Sequence, residues 1–168
     1  MRPAFFAVIG VVLSTLLLST PAAWAAAPKA KQAAQSGVYK VAIDRGVSLS
    51  EAAESMRLRA NVLNLQLVAE LPMSKQVEAV TGKPQRTITI YQFCDAMLAK
   101  DLIDVNLEFS IYMPCRIALI EDASGQGWLV MMNLDLFIQD PKLDAALKAD
   151  AIKVRDTLNE IMQAGAQA

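Results

Sequence analysis

Apolar and polar residues alternate along this chain with two different periods. Five segments show either the two-residue alternation or the β-branched and aromatic enrichment that is typical of strands: Val38 to Ile43, Leu65 to Leu71, Thr87 to Phe93, Cys115 to Glu121 and Trp128 to Asn133. The turn residues between the last two segments, Asp122 to Gly127, predict a hairpin. The pattern therefore predicts at least one antiparallel strand pair.

Segments with the spacing of apolar residues that is typical of helices lie between and after these strands. Apolar residues recur every three or four positions from Leu49 to Leu63, from Leu98 to Val105 and from Leu143 to Ile161, and 74–80 has room for one short helix. Strands joined by both hairpins and helices predict an α+β domain. We expect a single, mostly antiparallel sheet of about five strands, with helices packed on one face.

Local signals predict where the helices begin and end. Ser48 and Glu51 form a capping box, and Asp95 can cap the helix after the third strand. Asn64 tolerates the left-handed conformation that ends many helices. Asp140 followed by Pro141 predicts the start of the last helix. Gly165 predicts its frayed end.

The first 25 residues have the features of a secretory signal peptide. Arg2 is followed by an apolar run from Phe5 to Leu18, and the small-residue site Ala23-Trp24-Ala25 predicts cleavage near Ala25. The apolar run is shorter than the roughly 20 residues that cross a bilayer, so we expect no stable membrane insertion. These features predict a signal peptide (1–25), a disordered linker (26–36) and one α+β domain (37–165), located in the periplasm or secreted.

The charge balance argues against nucleic acid as a partner. Arg2 is the only charged residue of the predicted signal, so the remaining chain has 15 Lys and Arg against 17 Asp and Glu, a net charge of 15 − 17 = −2. Nucleic-acid binding requires a clustered basic face. The expected partner is an unknown small ligand or another exported protein.

Two cysteines are the main candidates for chemistry, because the chain has no histidine and no complete phosphate loop. Each cysteine lies where one element meets the next. By the period of two, Cys94 continues the face of Ile88 and Ile90, which we expect to point toward the core, and Cys115 shares a face with Ile117.

Three functional hypotheses for these cysteines remain open, beside the alternative that both are inert buried thiols. In an oxidising compartment an even count favours a structural disulfide between Cys94 and Cys115. Alternatively, the helix that follows Cys94 could lower the pKa of its thiol, and Cys94 would then serve a sulfur-transfer or disulfide-exchange enzyme. Finally, Met97 and Met113 could join the cysteines as soft ligands of copper or haem iron.

The segments IYQFCD, MPCRIALIEDASG and the tryptophan-bearing strand after them carry a resemblance to a known family. With SLSEAAESM, NLQLVAELPMS and the TGKP loop, Val38 to about Ile138 resembles the domain of unknown function 302 family. The resemblance implies a small α+β fold, often in exported bacterial proteins, with no established activity and with some members linked to redox or sulfur metabolism. It also implies that the family's two cysteine positions correspond to Cys94 and Cys115.

The residues and the resemblance together predict an exported, soluble binding or accessory protein rather than an enzyme, and we predict no resident cofactor. Its centre would be the pair of Cys94 and Cys115. The apolar stretch Leu107 to Met113 and the long last helix could exceed what one small sheet covers. A homodimer is therefore also expected.

Overall fold

The computed structural model describes residues 36–168. Its five strands form one antiparallel sheet in the spatial order β1-β5-β4-β3-β2. The strands are Val38–Ala42 (β1), Gln66–Leu71 (β2), Ile88–Cys94 (β3), Cys115–Glu121 (β4) and Gly127–Met132 (β5). The α+β class and the single antiparallel sheet are thus confirmed. The predicted signal peptide and all but the last residue of the predicted linker lie outside the described residues.

The helices of the described chain are Leu49–Val62 (α1), Met73–Thr81 (α2), Ala96–Val105 (α3), Asp135–Ile138 (α4) and Ala145–Ala166 (α5), with a 3-10 helix at Leu107–Tyr112. Helices α1 and α5 pack against each other, and α5 also contacts β1 and β5. No helix in residues 36–168 is both long and apolar enough to cross a membrane.

Burial alternates along the central strands and divides the sheet into two faces. Phe93, Ile117 and Leu129 are fully buried and belong to the hydrophobic core, which also contains the inward residues of α1 and α5. Ala118 and Val130, which lie between core residues along the same strands, are only partly buried. We call these two sides of the sheet the core face and the open face.

Several local predictions are confirmed. The Ser48 hydroxyl accepts a hydrogen bond from the Glu51 amide while the Glu51 carboxylate accepts one from the Ser48 amide, so the capping box of α1 is complete. Asn64 has a φ of 56° and ends the turn after α1 in the left-handed conformation. The Asp95 carboxylate caps α3.

The predicted start of the last helix is wrong. Asp140 accepts a hydrogen bond from the Lys142 amide and stabilises a turn, whereas Asp144 accepts one from the Leu147 amide and caps α5 four residues later. Both aspartates are suitable caps, but Pro141 after Asp140 favoured the wrong one in the sequence.

Gly165 does not mark a frayed end. It lies in the last turn of α5, packed against α1, and a β-carbon there would lie 2.6 Å from Met56 Cγ and 3.1 Å from the Ala52 carbonyl oxygen. The next residue, Ala166, accepts a hydrogen bond from the Asp44 amide. The end of α5 is therefore fixed to the rest of the domain.

The packing of helix α5 affects the prediction of a homodimer. Its apolar side chains, including Leu158 and Ile161, are buried within the same chain, which removes one of the two reasons for that prediction. The other reason partly persists, because Leu107 is 76% exposed and Ile111 is 73% exposed in the 3-10 helix. The oligomeric state stays a prediction.

Candidate functional site

An apolar cavity of about 50 Å³ lies where the end of β3 and the start of β4 meet α3, the 3-10 helix and α5. We call it the cysteine pocket, because Cys94 and Cys115 both line it. Its other lining side chains are mainly apolar, and they include Met113, Leu98, Leu102, Leu134, Phe137 and Val154. By its volume the cavity could hold a few water-sized groups.

Cys115 lies on the core face as predicted, but Cys94 does not. Phe93 is the residue paired with Cys115 across the sheet, and Phe93 is fully buried. Since successive side chains of a strand point to opposite faces, the Cys94 side chain leaves the backbone on the open face. It still lines the pocket, because Cys94 is the last residue of β3. The face of Ile88, which is 39% exposed, is therefore not the core face of β3.

The predicted disulfide is absent from the described chain, in which Cys94 and Cys115 are free thiols and are not at bonding distance. The alternation along β3 gives the reason. A disulfide needs Cβ atoms about 3.5–4.5 Å apart that point toward each other. Here Phe93, not Cys94, occupies the position opposite Cys115.

Burial controls the acidity of both thiols. It raises the pKa of Cys115 to about 11, with a further increase from the neighbouring Cys94 and a smaller opposing effect from Arg116. The pKa of Cys94 is also raised, by burial and then by the negative charge of Asp95. At neutral pH both thiols are therefore protonated.

The helix after Cys94 does not activate it. The Asp95 carboxylate accepts hydrogen bonds from the Met97 and Leu98 amides, each at 3.1 Å. These are the amides that would otherwise stabilise a thiolate at the start of α3. The structure thus reverses the expected direction of the Cys94 pKa.

Of the predicted soft ligands, the structure brings together three. Met113 lines the cysteine pocket with Cys94 and Cys115, whereas Met97 is 69% exposed and lies outside it. Among the described residues no group of three or more Cys, Asp or Glu side chains could hold a metal. A metal site here would therefore depend on the Met113 thioether.

The sequence did not identify the aromatic wall of the pocket. Tyr112 from the 3-10 helix lies 4.7 Å from Phe137 of α4, measured between ring centroids, and Phe109 meets the same ring edge-on at 5.4 Å. The sequence signal for this wall was the segment from Leu107 to Met113, in which the apolar residues no longer follow a regular helical spacing. A 3-10 helix repeats every three residues, so it spaces Phe109 and Tyr112 on one side.

The fold and the pocket define a class: a small α+β domain with one antiparallel sheet and an apolar pocket lined by two protonated thiols. The family model described as "Domain of unknown function DUF302" matches residues 39–165, and the chain belongs to this family. Comparison with curated proteins finds no match.

A solved structure is similar as well. The crystal structure of an uncharacterized conserved DUF302 protein from Bacillus stearothermophilus shares 16% sequence identity with this chain, with a TM-score of 0.62. The match covers 76% of this chain and 97% of the other. At this identity the likeness concerns the fold alone.

Proposed function

We propose that this protein is an exported binding or accessory protein and that the cysteine pocket is its binding site. One observation carries the proposal: Cys94, Met113 and Cys115 line a single apolar cavity. The apolar lining with a few sulfur groups fits a binding site, and the volume of about 50 Å³ restricts the ligand to an ion or a group of a few atoms. Sulfur groups in this setting also fit a role in redox or sulfur metabolism.

The acidity of the thiols favours binding over thiol catalysis. A catalytic cysteine needs a lowered pKa or an adjacent base, and here burial raises the pKa of both cysteines. The alternative of a sulfur-transfer or disulfide-exchange enzyme would require Cys94 to form a thiolate near pH 7.

Alkylation with iodoacetamide tests this alternative. For Cys94 we expect the rate to keep rising with pH through the neutral range without a plateau there, since the thiolate is the reactive form and the Cys94 pKa is raised. A rate that already reaches its plateau near pH 7 would favour the enzyme. Mass spectrometry without reductant provides the control, because two added alkyl groups identify two free thiols.

A second candidate function is the binding of Cu(I), which is favoured by the convergence of two thiols and one thioether. Soft sulfur ligands select Cu(I) over hard cations. The volume of about 50 Å³ suits a single ion better than a haem. Because both thiols must lose a proton, binding should strengthen as pH rises.

Competition against a chromophoric Cu(I) chelator tests this function. We expect Cys94→Ala and Cys115→Ala to abolish binding and Met113→Leu to weaken it. Met97→Leu is the matched control, because Met97 is exposed and lies outside the pocket. Failure of the unmodified protein to compete, or equal effects of the two methionine variants, would rule out this site.

Export is part of the proposal and rests on residues 1–25. Cleavage near Ala25 would give a mature protein that begins at about Ala26, in the periplasm or outside the cell. N-terminal sequencing of protein recovered from the exported fraction tests this. A chain that retains Met1 would contradict it.

A further inference from the structure

The middle row of the open face consists mostly of apolar residues. That row consists of paired residues from four strands, in the order Lys40, Val130, Ala118 and Ile90. The smallest side chains of the row, Val130 and Ala118, lie at its centre. The face therefore has a shallow trough across the central strands.

A groove of about 460 Å³ includes this trough and extends to the 3-10 helix. Ile111, which is strongly exposed, and Tyr112 contribute to its wall, while Ile90, Ala118 and Val130 contribute to its floor. This volume falls in the range of about 300–1,000 Å³ that is usual for small-molecule sites. It far exceeds the volume of the cysteine pocket.

Within residues 36–168, Arg116 is the only charged residue that lines the groove. Its guanidinium is exposed and donates a hydrogen bond to the nearby Pro114 carbonyl at 3.4 Å, and no carboxylate pairs with it in the described part of the chain. An apolar groove with one unpaired guanidinium and no acid is complementary to an apolar molecule that carries one negative charge.

The size of the face fits a small molecule better than a second copy of the chain. Four strands at about 4.8 Å spacing and about five residues at 3.3 Å rise give a projected area of roughly 320 Å². A stable protein interface buries about 800 Å² on each partner. The face alone is therefore too small for a symmetric dimer.

We propose that the open face binds a free medium-chain carboxylate. The carboxylate lies against the Arg116 guanidinium, which can donate two parallel hydrogen bonds to it, and the alkyl chain lies in the trough over Ala118 and Val130. This site differs from the cysteine pocket, although Tyr112, Cys115 and Leu134 line both cavities.

Calorimetric titration of the purified protein with decanoate, at concentrations that do not form micelles, tests this site. We expect one-to-one binding that weakens about tenfold in Arg116→Gln, since hydrogen bonds to charged groups contribute about that much. Decanol, which lacks the charge, should bind equally to both proteins. Arg45→Gln is the matched control, because Arg45 is also exposed but lies in the turn before α1.

Three results would overturn the proposal. The first is the absence of saturable decanoate binding, and the second is an equal loss in the Arg45 and Arg116 variants. The third is binding to phosphatidylglycerol vesicles but not to free decanoate, which would assign Arg116 to a membrane surface. Sedimentation adds a further check: a dimer that Ala118→Phe dissociates, with no decanoate binding, would show that a second copy covers the face.

Discussion

At the scale of single residues, the position of each cysteine decides its chemistry. Cys94 and Cys115 differ by one step of the strand alternation, because Phe93 takes the position opposite Cys115. As a result they share a cavity as free thiols. Burial then keeps each of them protonated, although Cys94 directly precedes a helix.

The raised pKa of Cys115 predicts how stability depends on pH. Its pKa is about 11 in the folded protein and 9.0 without the fold, so folding favours the neutral thiol. That stabilisation is complete below pH 9 and is lost as the pH rises from 9 to 11. Over this window the free energy of unfolding should fall by an additional amount of about 1 kcal/mol per pH unit.

Urea unfolding at a series of pH values measures this effect. Cys115→Ala should lose the additional slope between pH 9 and 11, because all other titratable groups are the same in both proteins. Identical slopes for the two proteins would contradict the predicted burial of the thiol.

At the scale of elements, the end of α5 is held by close packing rather than by helix propensity. An alanine at position 165 would favour the helix by up to about 1 kcal/mol in an exposed position. Its β-carbon would instead meet Met56 Cγ at 2.6 Å and the Ala52 carbonyl oxygen at 3.1 Å. The backbone of α1 cannot move aside as a side-chain end can.

Gly165→Ala should therefore lower the free energy of unfolding by about 1–3 kcal/mol, the usual cost of overpacking a core. The matched control is Lys153→Ala on the exposed side of the same helix, where the change should stay within about 0.5 kcal/mol. Chemical denaturation of both variants measures whether the free energy of unfolding falls or rises. A stabilised Gly165→Ala protein would mean that α1 and α5 are farther apart.

The sequence predicted the elements better than it predicted their faces. Strand β4 was predicted with its observed bounds, because turns and Pro114 delimit it. Strand β3 was ambiguous: Ile88 and Ile90 form one apolar face while Tyr91 and Phe93 form another, and period alone cannot choose the buried one. The cysteine pocket could not be assembled from sequence for this reason, since it depends on which face of β3 meets α3 and α5.

At the scale of the whole molecule, the core is distributed unevenly around the sheet. Helix α1 buries Ala52, Ala53, Met56 and Ala60, and α5 buries a still larger set of side chains. Helix α3 buries only Leu102. The same helix forms one wall of the cysteine pocket, so the site adjoins the most weakly anchored of these three helices.

This asymmetry predicts which part of the fold opens first. Amide hydrogen exchange should be at least tenfold faster in α3 than in α5, because local opening costs less where fewer apolar side chains are buried. Strand β4, which is paired on both sides, should exchange more slowly than the edge strand β2. Equal protection of α3 and α5 in exchange followed by mass spectrometry would contradict the prediction.

The same measurement connects the fold with the pocket. A ligand that binds between α3 and the sheet stabilises the closed state, so it should slow exchange in α3 and leave β2 unchanged. Under the Cu(I) hypothesis this slowing should disappear in Cys94→Ala and persist in Met97→Leu. Decanoate, bound on the open face, should instead slow exchange in the 3-10 helix that contains Ile111. Exchange therefore distinguishes the two sites within one experiment.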